Sequence, residues 1–271
     1  MLFRSGLDFL FVDHRAALRE CVIAPFEAGY AQGLTPNPCV DCNRLVKFKT
    51  LFEHAGPEDI VATGHYARAR EGAVYAGVKG RDQSYVLWRL RRQWLARLRF
   101  PLGGLEKSQA RALAAELGLE VAAKKDSMDL CFQPHLPPRV WEIVDESGRP
   151  LGQQEGYFTL GQRRGLNVAS TARLYVTRID SARSQVVLGP LEAAQRQVLT
   201  VREVHQLTEL PPRFEAQVKI RSTGALVPAV IELEGEQGRI TLAQPILGGA
   251  PEQSAVWYAQ DGQLLGGGKL A

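Results

Sequence analysis

Three of the four cysteines in this chain of 271 residues fall in two polar, turn-rich segments, Thr35-Pro-Asn-Pro-Cys-Val-Asp-Cys-Asn43 and Lys124-Lys-Asp-Ser-Met-Asp-Leu-Cys-Phe132. A structural thiol is normally packed among apolar residues. Here Cys39, Cys42 and Cys131 stand beside Asn, Asp, Lys and Pro, which points to sulfur chemistry. Cys39 and Cys42 form a Cys-x-x-Cys pair with three physical readings: a redox dithiol, half of a zinc site, or part of an iron–sulfur site. Zinc would need two further ligands; Cys131 supplies one, and none of the five histidines stands at ligand spacing from it. Two arrangements stay open. One is a three-cysteine iron–sulfur cluster on Cys39, Cys42 and Cys131; the other is a working thiol pair, Cys42 with Cys131. Asn37 and Pro38 predict a tight loop before Cys42, with a helix starting near Asn43 and Lys47 to Lys49. A helix N-terminus and nearby lysines favour the reactive thiolate, and Lys124 and Lys125 are placed to act likewise on Cys131. Cys21 falls on the apolar face of a helix and reads as core.

The elements that must position these thiols change character along the chain. Residues 1–131 alternate strands and helices. Phe9-Leu-Phe-Val12 predicts a strand, Arg15 to Tyr30 a helix, Asp59-Ile-Val-Ala-Thr63 a strand ending at Gly64, and Lys107 to Leu117 a helix. That is an α/β pattern with a parallel sheet. Residues 132–195 read as a small β-rich central domain, cut by turn pairs such as Ser147-Gly148. Residues 196–271 hold five short alternating segments: 198–201, 216–220, 229–233, 239–242 and 255–258. These predict an antiparallel β-barrel.

A net charge of +4 conceals a strong bias, 25 arginines against 8 lysines. Arg89, Arg91, Arg92, Arg97 and Arg99 crowd between Trp88 and Phe100. Planar guanidinium groups suit phosphate, so this run predicts either an RNA-backbone surface or a solvated basic helix face. No apolar run of about 18 residues predicts a membrane span. Asp8 interrupts the first apolar stretch, which therefore reads as a strand and not a signal peptide. Four cysteines in a chain this long make no disulfide framework, so a reducing cytoplasm is the expected setting.

Several segments, in this order, resemble the bacterial tRNA-specific 2-thiouridylases (the MnmA or TrmU family). They are Gly33 to Lys49, Ala62-Thr-Gly-His-Tyr-Ala-Arg68, Arg81-Asp-Gln-Ser-Tyr85, Lys124 to Phe132, Tyr157-Phe-Thr-Leu-Gly-Gln-Arg-Arg-Gly-Leu166 and Leu264-Leu-Gly-Gly-Gly268. The resemblance implies a Rossmann-like adenine-nucleotide hydrolase domain ahead of the central domain and barrel. It also implies a reaction: ATP with Mg adenylates the C2 oxygen of the wobble uridine, and sulfur then replaces it. By position Cys131 is the implied persulfide carrier, loaded by an upstream sulfur-relay protein. Cys42 is the implied nucleophile, leaving a Cys42–Cys131 disulfide. Gly64 matches a nucleotide-contacting glycine. Asn37, Pro38 and Cys39 match the stretch that meets the target base. His65, Arg81, Asp82, Gln83, Arg221, Ser222 and Gln253 fall where the family meets tRNA.

Three departures qualify the resemblance. The family's Ser-Gly-Gly-Val-Asp-Ser-type loop, whose backbone N–H groups would cradle ATP phosphates, has no counterpart here. The chain is therefore expected to start inside its first domain, lacking a βαβ unit of roughly 30 residues, and to adenylate nothing alone. Leu2-Phe-Arg-Ser5 is encodable by a string common in sequencing-library adapters, so Met1 to Ser5 are expected to be assembly residue. Cys39 stands where some members carry aspartate, which leaves an iron–sulfur-dependent thiolase open as an alternative. Finally, Gln133 to Arg139 is short, and its three prolines preclude a helix. A non-catalytic tRNA-binding remnant is the remaining alternative.

Overall fold

The computed structural model of the chain describes residues 8–78, 80–123 and 130–271. Lys124 and Lys125, the expected activators of Cys131, lie outside the described residues. Helical backbone begins with α1 (Arg15–Leu18), passes through a π-helical turn (Arg19–Ile23) and continues as α2 (Ala24–Ala31). It stops at Gly33, whose φ of 75° is the left-handed position that glycine fills without a steric penalty. The predicted strand at Phe9–Val12 is not formed. That segment has no regular structure, and Phe9, Leu10 and Phe11 are exposed. Apolar alternation makes a strand only where a neighbouring backbone takes up its hydrogen bonds, and no described strand pairs with it.

The second helical stretch corrects another expectation. Asn37 begins the helix: its side-chain oxygen accepts the Cys39 N–H at 3.2 Å, and Pro38 takes the first helical position. Asn is a favoured N-cap, and Pro at that position loses no bond because its N–H would have been unpaired. Helix α3 (Pro38–Asp41), a π-helical stretch (Cys42–Lys47) and α4 (Phe48–His54) follow without a break. Both cysteines are therefore helical.

Strands β1 (Val61–Ala62), β2 (Ala67–Arg70), β3 (Ala73–Ala76) and β4 (Leu98–Arg99) complete the first unit's sheets, with α5 (Arg92–Leu95) and α6 (Lys107–Glu116). β1 and β4 pair in parallel, while β2 and β3 form a hairpin. The central unit is a four-stranded sheet of β5 (Val140–Asp145), β6 (Pro150–Glu155), β7 (Tyr175–Asp180) and β8 (Gln185–Gly189). Its order is β6-β5-β8-β7, and the β5–β8 pair is parallel. After α7 (Leu191–Ala194) comes a closed antiparallel barrel. Its strands are β9 (Gln195–Gln206), β10 (Arg213–Lys219), β11 (Val227–Glu234), β12 (Gln237–Leu247), β13 (Ser254–Tyr258) and β14 (Leu264–Leu270). Closure leaves no open sheet edge.

The sequence pattern located five barrel strands and missed β14, whose run of three glycines depresses strand propensity. The structure explains those glycines. A Cβ on Gly267 would stand 2.6 Å from the Trp88 ring, which lies flat on the barrel wall. Around that contact a buried polar seam joins the first unit to the barrel. The Trp88 indole donates to Ser254 Oγ at 3.0 Å, the Tyr85 hydroxyl donates to the Ser254 carbonyl at 2.7 Å, and Ser84 Oγ meets the Tyr258 hydroxyl at 3.0 Å.

The arginine run is tied to the backbone while Arg91, Arg92 and Arg99 stay exposed. Arg92 donates to the Gln206 and Thr208 carbonyls, Arg97 to those of Asp59 and Gly56, and Arg99 to those of Ala96 and Leu98. Arg91 lies over the Trp94 ring. No described helix is long and apolar enough to cross a membrane.

Candidate active site

Cys42 is buried, 6% exposed, in a small apolar cluster with Val22 and Val46. Leu18, Cys21, Leu45 and Phe132 close the cluster, so Cys21 is packing material as its helical position predicts. Phe132 also stands edge-on to Phe26, with ring centroids 5.6 Å apart. Cys131, the residue before this anchor, is exposed, and its charge reaches the Cys42 thiol. The proline-rich strip beyond Phe132 forms no helix, as expected. It is tied down instead: the His135 N–H donates to Glu27 Oε1 at 2.7 Å, the Tyr157 hydroxyl to the Pro137 carbonyl at 2.6 Å, and Arg139 to the Ala31 carbonyl at 2.6 Å.

All four cysteines are free thiols, so the implied Cys42–Cys131 disulfide is not formed in this state. Among the described residues no group of three or more His, Cys, Asp or Glu side chains could hold a metal ion. Cys39, Cys42 and Cys131 are thus not gathered as an iron–sulfur ligand set: Cys42 points into apolar packing while the other two reach the surface.

Charge at the thiols also departs from expectation. Burial pushes the Cys42 thiol above its ordinary value; Lys47 opposes the shift, and charge on Cys131 and Cys39 adds to it. Cys39 reaches the surface, yet surrounding protein desolvates it enough to raise it too, against the same lysine. Desolvation outweighs Lys47 at both thiols and favours their protonated form. Lys47 sits five residues beyond Cys42. The Phe48 N–H bonds the Asn43 carbonyl, the five-residue step of a π-turn, which places Lys47 one turn above Cys42.

Lys47 also lines a groove of about 1020 Å³, with Thr63, Gly64, His65 and Gln83 beside it and Leu10 and Ile60 opposite. A Cβ on Gly64 would meet only Leu102, at 3.7 Å, so protein packing does not require glycine there. His65 stacks on Phe48 and stands edge-on to Phe100, with its Nδ1 2.8 Å from Thr63 Oγ1. Burial, with Lys47 adding to it, pushes its pKa down to about 4. His65 is therefore neutral at pH 7 and offers RNA no cation.

The loop leading into Asn37 touches all three units. The Thr35 N–H donates to the Pro251 carbonyl at 3.1 Å, and Thr35 Oγ1 lies 3.5 Å from Thr159 Oγ1. Pro36 packs on Gly29, where a Cβ would be 2.9 Å from its ring. Asn37 and Pro38 share a small recess with Glu252, Ser254 and Lys269 of the barrel.

Three family models match the chain in succession. They are the tRNA methyl transferase HUP domain at residues 4–135, the tRNA methyl transferase PRC-barrel domain at 131–190 and the aminomethyltransferase beta-barrel domain at 196–270. A tRNA-specific 2-thiouridylase MnmA of Synechococcus sp. is 39% identical over 98% of this chain and 82% of its own length. The proteins of that name from Rhizobium meliloti and Rhodopseudomonas palustris are each 40% identical, over 97% and 98% of this chain and 75% of their own lengths. The chain belongs to the tRNA-specific 2-thiouridylase family.

As a member of this family the chain carries a HUP domain, a PRC-barrel domain and a barrel at its C-terminus. Asn37 and Pro38 line the recess shared with the barrel, Cys42 lies in the apolar cluster that holds Phe132, and Gly64, His65 and Gln83 line the groove that Lys47 also reaches. Gln83 holds that groove's rim: its N–H donates to the Tyr66 carbonyl and its Oε1 accepts the Tyr66 N–H, both at 2.9 Å. Arg81 is exposed beside it. Asp82 is used internally. It accepts from the Gly77 and Ser84 N–H groups and pairs with Lys219 Nζ at 3.6 Å. Arg221 donates to the Leu247 carbonyl at 2.8 Å, next to exposed Ser222, and Gln253 is held by backbone bonds in the turn before β13.

Sequence reasoning missed the ionic lattice behind the thiols. Asp41, between the two cysteines, pairs with Arg89, which also holds Glu203 at 2.6 Å. Lys269 reaches Glu203 and Glu252 at 3.1 and 3.6 Å, and Arg202 bridges the same two carboxylates. The only signal was the excess of arginine; Arg89 meets partners 48 and 114 residues away, and such separations leave no spacing to read.

Proposed function

We propose that this chain performs tRNA 2-thiolation at the wobble uridine, with Cys131 carrying the sulfur and Cys42 discharging it. The observation that supports this is the packing of Phe132, next in the chain to Cys131, in the cluster that buries Cys42. The step balances. A persulfide on Cys131 holds an oxidised outer sulfur. Attack by the Cys42 thiolate on the inner sulfur forms the Cys42–Cys131 bond, breaks the S–S bond of the persulfide and releases the outer sulfur as hydrosulfide. Hydrosulfide then replaces the C2 oxygen of the uridine. An external dithiol reductant restores both thiols. The free thiols fit a reducing cytoplasm, and a persulfide relay protein is the expected donor.

ATP supplies the activation that turns the C2 oxygen into a leaving group. The groove beside Gly64 accommodates an adenosine, because the open space at its Cα permits close approach. No glycine-rich phosphate cradle occurs among the described residues that line it, and these residues account for no adenylation step. What they do is hold the thiols. The Asn37 cap and the Asp41–Arg89 pair fix the helix of Cys39 and Cys42, burial raises both thiols, and Lys47 is the described cation that favours the thiolate form at each.

The experiment is persulfide loading with a low-molecular-weight donor, followed by mass spectrometry of both cysteine peptides and assay of free sulfide. The wild type should release sulfide and leave a Cys42–Cys131 disulfide, while Cys42→Ser should retain the persulfide on Cys131. Sulfide release unchanged in Cys42→Ser would sink this assignment. Binding of tRNA without any sulfur release would favour the remnant reading instead.

A further inference from the structure

We infer that the central unit carries a second RNA-backbone contact, a phosphodiester-binding loop built on Arg163, Arg164 and Arg173. This rests on the reading of the chain as a tRNA-modifying enzyme, since tRNA is the polyanion it would take. The loop connects β6 to β7. From Gly156 to Ile179 it contains no acidic residue. Arg163, Arg164 and Arg173 are all exposed, and none makes a side-chain hydrogen bond or ion pair with a described residue.

Three other arginines of this unit are occupied. Arg139 donates to the Ala31 carbonyl at 2.6 Å, Arg149 pairs with Asp145 at 3.0 Å, and Arg183 pairs with Asp180 at 3.9 Å. Arg178, exposed on β7 where the loop ends, is as free as the three loop arginines. Arg163 and Arg173 line a single concavity of about 550 Å³ together with Asn167 and Ser170, and no carboxylate faces it. Two guanidinium forks over a polar hollow suit phosphate oxygens.

The loop is also held in shape before any ligand arrives. Gly161 donates to the Val176 carbonyl at 2.8 Å, and Val176 donates back to Gln162 at 2.9 Å. Gln154 Nε2 holds the Gly165 carbonyl at 2.6 Å, and Gln162 spans the turn by accepting the Thr159 N–H and donating to the Arg164 carbonyl. Leu166 is buried in the central core and pins the middle of the loop. The arginines therefore stand on a fixed base.

Position ties this loop to the thiols. Gly161 packs against Gly248, where an added Cβ would be 3.0 Å from the Gly248 backbone, and Arg221 lies alongside Gly248 on the barrel. Thr159, two residues earlier, meets Thr35 of the strip that leads to Asn37. A strand of RNA whose base reaches Cys42 would run across this loop, with Arg221 on one flank and Arg163 on the other.

The test compares tRNA affinity across a range of salt for the wild type, Arg163→Gln/Arg173→Gln and Arg149→Gln. Pairing of a guanidinium with a phosphate releases a counterion, so deleting one such pair flattens the plot of log K against log salt by about one. The double variant should flatten by about two and bind roughly tenfold more weakly at low salt, with an unchanged melting temperature. Arg149→Gln should match the wild type. Arg164→Gln, measured alone, should flatten the slope by about one. Wild-type binding with an unaltered slope in the double variant would overturn the inference and leave the proposed function standing. Failure of the wild type to bind tRNA would overturn both.

Discussion

Arg89 grips Asp41, the residue one place before Cys42, and with its second nitrogen holds Glu203 on barrel strand β9. The helix carrying the reactive thiols is thereby braced against a unit that begins about 150 residues later in the chain. Arg89 is itself only 19% exposed, and both carboxylates are part-buried. Replacing Arg89 with Ala strands two desolvated negative charges. Removing one member of a buried pair costs about 3–5 kcal/mol, and partial exposure screens some of it, so a loss of about 2–3 kcal/mol is expected. Urea midpoints of wild type and Arg89→Ala measure it. Asp41→Asn, which keeps a hydrogen-bonding partner for the guanidinium, should lose less.

Lys47 is the one cation that opposes burial at both Cys39 and Cys42, and it also helps depress His65. Neutralising it should move all three titrations the same way. In Lys47→Gln the pH at which Cys42 becomes alkylated by iodoacetamide should rise, and the His65 midpoint followed by NMR should rise as well. A thiol shift without the histidine shift would mean that the substitution had reshaped the helix and not simply removed a charge.

His65 gives the fold a pH dependence whose sign follows from its depressed pKa. Unfolded, the ring takes a proton near 6.5; folded, it resists until about pH 4. Between those values the unfolded state binds more protons, so stability is complete above the upper value and is lost as pH falls through the window. Each pKa unit is worth about 1.4 kcal/mol, and His65 is partly exposed, so a loss of about 2 kcal/mol from pH 7 to pH 4 is expected. His65→Phe keeps the ring between Phe48 and Phe100 but cannot titrate. Its urea midpoint should fall less over the same range; parallel curves would assign the acid lability to other groups.

What the sequence made legible follows the range of the interactions. Helices with clear apolar periodicity, Arg15 to Tyr30 and Lys107 to Leu117, were readable because each residue's partner lies three or four positions away. The polar residues beside Cys42 in sequence did not show its surroundings, since Val22 and Val46 pack on it from other turns of helix. Strand β14 was not readable either, since its glycines answer to Trp88, far away in the chain. Phe9 to Val12 has the composition of a strand, but composition does not supply a neighbouring backbone. The thiol pKa values were misjudged because lysines are visible in sequence while burial is not. For the same reason the pairing of Asp82 with Lys219 was not visible in sequence.

Asn37 separates local structure from chemistry most sharply. Its side chain caps the helix of Cys39 and Cys42, and we propose that it also meets the target base. Asn37→Ala removes the cap and should cost about 1 kcal/mol, with sulfide release reduced because the helix start frays around Cys39. Asn37→Asp keeps an oxygen for the Cys39 N–H and adds a negative charge at the positive end of the helix, so stability should return to the wild-type level. If capping were the residue's whole contribution, Asn37→Asp would recover tRNA-dependent activity together with stability. A base contact through the amide predicts a different result. Asn37→Asp should then melt like the wild type and discharge the Cys131 persulfide normally, but bind tRNA more weakly, because a carboxylate cannot donate the hydrogen bond that an amide nitrogen can. Measuring melting temperature, sulfide release and tRNA affinity on the same two variants decides between them.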